Sequence, residues 1–168
     1  LVFKILKLAC LHSSVKIGSS SDFALLPFKF QSSPVKIDLT IAIPTKNEEL
    51  NLPYCLQAIG PRFADQIVIL DSGSTDSTCS IAKEYGAEVM EFRWNGKFPK
   101  KRNWFLREHR PSTRWILFLD ADEFLTEDFK DEVARTLSAT SHSGFWLHYS
   151  IHFMGRKLRG GYPFDKLA

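Results

Sequence analysis

The stretch WILFLDADEF, residues 115–124, indicates the fold, because an apolar run of strand length ends directly in Asp120, Asp122 and Glu123. A buried strand that ends in acids places them at the carboxyl edge of a sheet, where parallel α/β folds bind ligands. Two carboxylates about 4 Å apart repel by roughly 4 kcal/mol in a cleft of effective dielectric about 20, but by only about 1 kcal/mol in water. In a cleft the cluster therefore requires a cation or a proton. The cation would be a divalent metal that carries a substrate phosphate.

Strand and helix patterns alternate along the chain from Lys36 onward. Apolar, β-branched runs predict strands at 37–43, 66–70, 87–92, 115–119 and 144–153, with Pro44 ending the first. Capping residues predict helices from Asn51 to Gly60, from Ser74 or Thr75 to Gly86, from Pro99 onward, and from about Glu127 to Leu137. This alternation predicts an α/β fold, a mostly parallel sheet with helices on both faces.

Polar side chains follow three of these predicted strands. The first is followed by PTKNEE, residues 44–49, the second by DSGSTD, residues 71–76, and the fourth by the acids of 120–123. Because the carboxyl ends of parallel strands share one edge, these groups are expected to lie together. Asp71 could accept hydrogen bonds from a base or ribose, with Gly73 allowing a close backbone approach. Alternatively, the loop is only a tight turn with a helix cap.

Composition limits the class of protein. A chain of 168 residues, 44% hydrophobic, supports one domain, predicted at residues 36–168 after an unpatterned N-terminal arm or linker at 1–35. A net charge of +3 is too small to indicate nucleic-acid binding. The three cysteines are scattered without a CxxC pair, which favours a reducing, cytoplasmic location. Both ends of the sequence suggest a fragment of a longer protein.

The first eleven residues, LVFKILKLACL, are apolar but too short to span a membrane. They favour a loosely packed arm, with membrane-surface contact as the alternative. The basic run KFPKKRNW, residues 97–104, is either a solvated helix face or a diphosphate site, for which Arg102 is best suited by its bidentate geometry. No dinucleotide or P-loop glycine motif is present. The histidines 142, 148 and 152 lack the partners of a zinc site.

Three motifs in order, IAIPTKNEELNLPYCL, IVILDSGSTDST and WILFLDADEF, resemble the family 2 glycosyltransferases over residues 37–137. With FPKKRNW and GRKLRGGYPFDKL, the chain most resembles the bacterial lipopolysaccharide-core and exopolysaccharide glucosyltransferases. The resemblance implies a GT-A fold, truncated at its C-terminal side, and inverting transfer of a sugar from a nucleotide-diphospho-sugar. It also implies a divalent metal, Mg²⁺ or Mn²⁺, and a saccharide or lipid-linked acceptor. The location would be cytoplasmic, with contact at the inner membrane face left open.

The same resemblance implies roles for individual residues, carried over by position. Donor-binding roles fall on the motif residues, and metal binding falls on the acids that end the third motif. The implied nucleotide-sugar-binding residues are Pro44, Thr45, Glu48, Asp71, Arg102, Asn103 and Asp120, and the implied metal ligands are Asp122 and Glu123. The general base is expected in the acceptor half, where Asp165 is the candidate. Ser72 stands where many relatives carry a second acid, so the donor base stays open.

Two alternatives from other classes remain. An apolar strand ending in DxD also describes haloacid-dehalogenase-like phosphatases, in which Asp120 would be phosphorylated. Those enzymes carry Thr or Val where Glu123 stands, and they carry the motif near the start of the domain rather than in a fourth strand. The second alternative is a non-catalytic remnant that binds a nucleotide-sugar without transferring it.

Overall fold

The computed structural model describes residues 4–6, 36–147, 150, 152–153 and 156–157. Most of the predicted arm, His148 and the candidate base Asp165 lie outside the described residues. No helix among the residues described is long and apolar enough to cross a bilayer.

The described residues form one six-stranded sheet and a separate strand pair. The strands are β1 (Lys4–Leu6), β2 (Ile37–Thr45), β3 (Ala64–Asp71), β4 (Glu88–Glu91), β5 (Trp115–Phe118), β6 (Gly144–Phe145), β7 (His152–Phe153) and β8 (Arg156–Lys157). The large sheet has the order β4-β3-β2-β5-β1-β6, and all its pairings are parallel. Strands β7 and β8 pair antiparallel. The predicted GT-A-type architecture, a mostly parallel sheet flanked by helices, is confirmed.

Four helices lie in the described part of the chain, namely α1 (Leu52–Ile59), α2 (Thr78–Glu84), α3 (Lys101–Glu108) and α4 (Glu127–Ala139). Helix α1 ends at Gly60, whose positive φ of 77° suits glycine and whose N–H donates to Leu56 O. Helix α4 is capped by Thr126, whose side chain accepts a hydrogen bond from the N–H of Phe129. The predicted ends of both helices are therefore close to the observed ones.

Alternate residues of β2 face opposite sides of the sheet. Ile41 and Ile43 belong to one core cluster, together with Leu56 of α1 and the buried face of α4. Ala42 belongs to a second cluster, which contains Phe105 of α3. The period of two in a strand produces this division, and it confirms that helices cover both faces. Complete burial of one such large side chain contributes about 1.5–3 kcal/mol to folding.

Pro44 lies within β2 and does not end it, contrary to the sequence prediction. It pairs with Leu70 of β3, whereas the pairing of β2 with β5 ends at Ala42, opposite Phe118. The carbonyl of the next residue, Thr45, accepts from the β3 side. Since neighbouring residues of a strand direct their backbone groups to opposite sides, the missing N–H of Pro44 falls where β5 has already ended.

Two further predictions about the elements are wrong in part. Helix α2 begins at Thr78 rather than near Ser74 or Thr75, because the loop before it is held by side-chain contacts described below. The predicted strand 144–153 is not continuous, since β6 ends at Phe145 and Trp146 is exposed outside it. In addition, β1 comes from the predicted arm and pairs with both β5 and β6.

Candidate functional site

Lys101, at the start of α3, contacts the carboxyl end of β2, the strand that pairs in parallel with both β3 and β5. Its Nζ donates a 2.7 Å hydrogen bond to the carbonyl of Thr45, the last residue of β2. Burial lowers the pKa of Lys101, and the negative charges of Asp71, which ends β3, and Asp120, which follows β5, act against that lowering. The predicted convergence of strand ends at one edge of the sheet is therefore present, and Lys101 is hydrogen-bonded to the central strand of the three.

Asp71 is only 3% exposed, and its carboxylate is bound within the chain. Its Oδ1 accepts from Thr45 Oγ1 at 3.0 Å and from Ser74 Oγ, and its Oδ2 accepts from the N–H of Ser74 at 2.7 Å. Burial alone would raise the pKa of Asp71, but the hydrogen bonds from Ser74 and Thr45 outweigh burial and lower it. Asp71 therefore stays ionised and organises the loop that follows β3.

The loop after β2 is clamped to the loop after β3. Asn47, with a positive φ of 55°, donates its N–H to Ser74 Oγ at 2.8 Å and accepts at Oδ1 from the N–H of Thr75 at 2.9 Å. The N–H of Glu49 donates to Asp76 Oδ2 at 3.1 Å. These contacts fix two strand ends against each other, so the polar residues of both loops have a clear structural role.

The residues implied for the nucleoside pocket are largely occupied by internal contacts. Thr45 is 1% exposed and donates to Asp71. Glu48 is half-buried, accepts from Asn51 Nδ2 at 2.9 Å, and donates its N–H to Thr78 Oγ1 at 2.8 Å. Together with half-buried Pro44, these residues build the wall behind the strand ends, and their contact with a ligand stays a prediction.

The three acids after β5 avoid mutual repulsion in three different ways. Asp120 forms an ion pair with Arg102 of α3. Glu123 accepts the N–H of Asp120 at 2.9 Å, and burial, together with the charges of Asp120 and Asp122, raises the pKa of Glu123 to about 7. Asp122 is exposed to water. Repulsion within the cluster is thus reduced by the Arg102 cation at Asp120, by partial protonation of Glu123 near neutral pH, and by water around Asp122.

Within the part of the chain that the structure describes, no three or more His, Cys, Asp or Glu side chains are grouped to hold a metal ion. Asp122 nevertheless offers an exposed carboxylate beside the strand ends. Mg²⁺ is commonly held by one or two carboxylates, with substrate phosphates and water as its other ligands. This donor set fits a metal that arrives with a diphosphate. Glu123 fits that role less directly, because its carboxylate accepts from the backbone.

A cavity of about 540 Å³ opens beside Lys101. It is lined by cationic, aromatic and small residues and one acid from four chain segments, namely Lys46, Ser72, Gly73, Glu91, Phe92, Arg93, Trp94, Lys100 and Lys101. Lys46 Nζ donates to the carbonyls of Ser72 at 2.9 Å and Gly73 at 2.7 Å. A cavity of this size at the carboxyl edge of a parallel sheet is where a small anionic ligand is expected.

Lys100 and Lys101 belong to the basic run predicted to be either a diphosphate site or a solvated helix face, and both line the cavity. Their contact with a diphosphate stays a prediction, whereas Lys46 and Trp94 were assigned no role. Their separate positions in the sequence carry no signal beyond the nearness of Lys46 to a strand end. Asn103 is exposed on α3 and does not line the cavity.

The family model described as "Glycosyl transferase family 2" matches residues 40–163. An uncharacterized glycosyltransferase of Rickettsia felis is 32% identical over 129 residues, covering 74% of this chain and 44% of the relative. The crystal structure of TarS from S. aureus is 26% identical with a TM-score of 0.46, covering 57% of this chain and 31% of that one. The crystal structure of glucosyl-3-phosphoglycerate synthase from Mycobacterium tuberculosis, in complex with Mn²⁺, UDP and glucosyl-3-phosphoglycerate, is 24% identical. Its TM-score is 0.41, and the match covers 49% of this chain and 33% of that one.

Proposed function

Because the chain belongs to glycosyl transferase family 2, we propose that it is the donor-binding part of an inverting glycosyltransferase that uses a nucleotide-diphospho-sugar. The chain spans 44% of the length of the Rickettsia felis relative, so the remaining length would supply the rest of the acceptor site. The observation that carries the proposal is the chain of contacts beside the cavity: Lys101, which lines it, donates to Thr45 at the end of β2, and Thr45 donates to Asp71 at the end of β3.

The charges of the cavity support a diphosphate-bearing ligand. Lys46, Lys100 and Lys101 line it, and Arg93, the fourth cation, is paired with Glu91 at 2.7 Å. Three cations without carboxylate partners within the described residues suit the negative charge of two linked phosphates. In this proposal Asp71, held at the end of β3, would recognise the donor base, and Asp120 would bind the ribose.

The residues of the site would assist departure of the nucleoside diphosphate by electrostatics. Negative charge grows on the leaving oxygen, and fixed cations such as Lys101 and Arg102 stabilise it without reorganisation. A divalent metal, Mg²⁺ or Mn²⁺, bound through Asp122 would supply Lewis-acid stabilisation of the same charge. Glu123 would hold the backbone of Asp120 in place through its hydrogen bond. Arg102 would hold the carboxylate of that residue.

The proposal also covers the acceptor and the general base, for which the chain offers fewer candidate residues. A saccharide or lipid-linked saccharide of the cell envelope or lipopolysaccharide is proposed as the acceptor, with the enzyme in the cytoplasm at the inner face of the membrane. The acceptor hydroxyl needs a general base within hydrogen-bond reach, and Asp165 remains the candidate. The phosphatase alternative is less well supported, because the carboxylate of Asp120, its required nucleophile, is ion-paired with Arg102.

A thermal-shift panel of nucleoside diphosphates and sugar nucleotides, with and without Mn²⁺, tests the proposal. We expect metal-dependent stabilisation, reaching about 2.7 kcal/mol at a ligand concentration of about 100 times the Kd. Asp122→Ala is expected to abolish the metal dependence, whereas Asp131→Ala, an exposed acid on α4, is expected to retain it. Equal responses of the two variants would remove Asp122 from the metal site. A parent that responds to no nucleotide would refute donor binding itself.

A further inference from the structure

The loop between β4 and α3 exposes two large aromatic side chains, four residues apart in the sequence. In this loop, residues 93–98, every residue is exposed, with Trp94 60% and Phe98 69% accessible. Trp94 Nε1 donates to the carbonyl of Lys97 at 2.9 Å, so the polar atom of the indole is satisfied within the loop. Single exposed apolar residues are ordinary, but two aromatic rings in one six-residue loop form a patch that a partner can cover.

The same segment carries a strong local positive charge. Residues 92–107 contain six Lys or Arg residues and no Asp or Glu. The guanidinium of Arg107 lies 5.7 Å from the ring centroid of Phe98, and Lys97 and Lys100 are exposed on either side of that ring in sequence. Arg93 is the cation of this loop that is neutralised, by Glu91. Arg102 is likewise paired, with Asp120. The exposed cations near the aromatic residues are therefore Lys97, Lys100 and Arg107, and they attract an anionic surface.

We propose that the loop of residues 93–98 is a contact site for an anionic lipid bilayer. Exposed Trp and Phe side chains can insert at the membrane interface, and nearby Lys and Arg each add about 1 kcal/mol of attraction to anionic headgroups. The chain as a whole has 22 cations against 19 acids, so the positive charge is a property of this edge and not of the entire surface. A contact confined to one exposed loop, with aromatic rings at its centre, fits a bilayer better than an extended polyanion.

The position of the loop links this contact to the cavity. Trp94, within the loop, and Lys100, two residues after it, both line the cavity. A bilayer that covers the loop therefore lies at the mouth of the cavity. Given the proposed function, this arrangement would place the donor sugar next to a lipid-linked acceptor. The lipid contact itself does not depend on the transfer reaction, and the experiments below are independent of nucleotide binding.

Co-sedimentation of the full chain with vesicles tests the contact. We expect binding to vesicles of phosphatidylcholine mixed with phosphatidylglycerol and weak binding to phosphatidylcholine alone, with the difference reduced by salt. The double variant Trp94→Ala/Phe98→Ala is expected to lose binding. Trp146→Ala is the matched control, because Trp146 is 56% exposed just after β6, at the opposite edge of the sheet from β4. Equal binding by the double variant and the control would overturn the proposal.

Charge and depth are tested separately. Lys97→Ala is expected to weaken vesicle binding about fivefold, since about 1 kcal/mol corresponds to that factor, whereas Lys83→Ala, an exposed lysine on α2, leaves it unchanged. Lipids brominated on their acyl chains should quench the fluorescence of the parent and of Trp146→Phe, but much less that of Trp94→Phe. Undiminished quenching in Trp94→Phe would refute the proposal. So would displacement from vesicles by a single-stranded oligonucleotide, since it would assign the contact to another ligand.

Discussion

Replacing Glu123 by glutamine is expected to stabilise the folded chain above neutral pH. Burial, reinforced by Asp120 and Asp122, raises the pKa of Glu123 from its ordinary value of 4.5 to about 7. Its Oε2 accepts a hydrogen bond from the backbone N–H of Asp120, and the side-chain oxygen of glutamine can accept the same bond. The substitution therefore removes the ionised form while it keeps the hydrogen bond.

The sign follows from proton linkage. Between about pH 4.5 and pH 7 the folded chain holds the proton of Glu123 more tightly than the unfolded chain does. The contribution of this group to stability is thus largest below pH 4.5 and falls as the pH rises to about 7. One pKa unit corresponds to 1.36 kcal/mol, so the full shift is about 3.4 kcal/mol. Because the side chain is only half-buried, solvent screening reduces the expected effect to roughly 2 kcal/mol.

Urea denaturation of the parent and of Glu123→Gln at pH 5 and pH 8 measures this difference. The variant is expected to gain roughly 2 kcal/mol over the parent between the two pH values, which corresponds to about 4–8 °C in Tm. Glu132→Gln, at an exposed position on α4, is the control and should follow the parent. A stability difference between Glu123→Gln and the parent that does not change with pH would refute the assigned burial of the carboxyl.

Two other substitutions examine the loops and the cavity. Asn47→Ala should lower the free energy of unfolding by about 2 kcal/mol, because it removes the acceptor of the Thr75 N–H and places alanine at a φ of 55°. Urea denaturation measures this loss, with Asn103→Ala at an exposed position as the control. Lys46→Met should weaken nucleoside diphosphate binding about fivefold, as expected for one exposed charge worth about 1 kcal/mol. Calorimetric titration of a nucleoside diphosphate into this variant and into the control Lys83→Met measures the difference. Equal affinities of the two variants would contradict the prediction.

The elements of the fold were predictable where the signal is local. The apolar run before Asp120 gave β5, and the cap and dipole pattern around Thr126 gave α4, because strand and helix periods depend on near neighbours. Prediction failed where a distant partner decides the outcome. Pro44 is tolerated in β2 only because β5 ends earlier, and the start of α2 is delayed because Asn47 holds the preceding loop. A strand as short as β1 carries no recognisable period.

The candidate site was predictable to a similar extent. Asp71 and Asp120 were expected at one edge of the sheet, and they share it because β3 and β5 both pair in parallel with β2. The contribution of Lys46 was not predictable, because it depends on carbonyl groups 26 and 27 residues away in the sequence. The internal engagement of Thr45 was likewise hidden, since a hydroxyl after a strand looks the same whether it faces a ligand or a neighbouring carboxylate.

By itself, the sequence determined that acids follow a buried strand and that like charges placed together need compensation, since both depend only on residue type and order. The tertiary structure alone decided how each charge is compensated. Packing of α3 against the sheet brings Arg102 to Asp120, burial lets Glu123 hold a proton near neutrality, and water surrounds Asp122. The physical reason is that the local dielectric and the nearest counter-charge are set by segments distant in the chain, which no short-range pattern records.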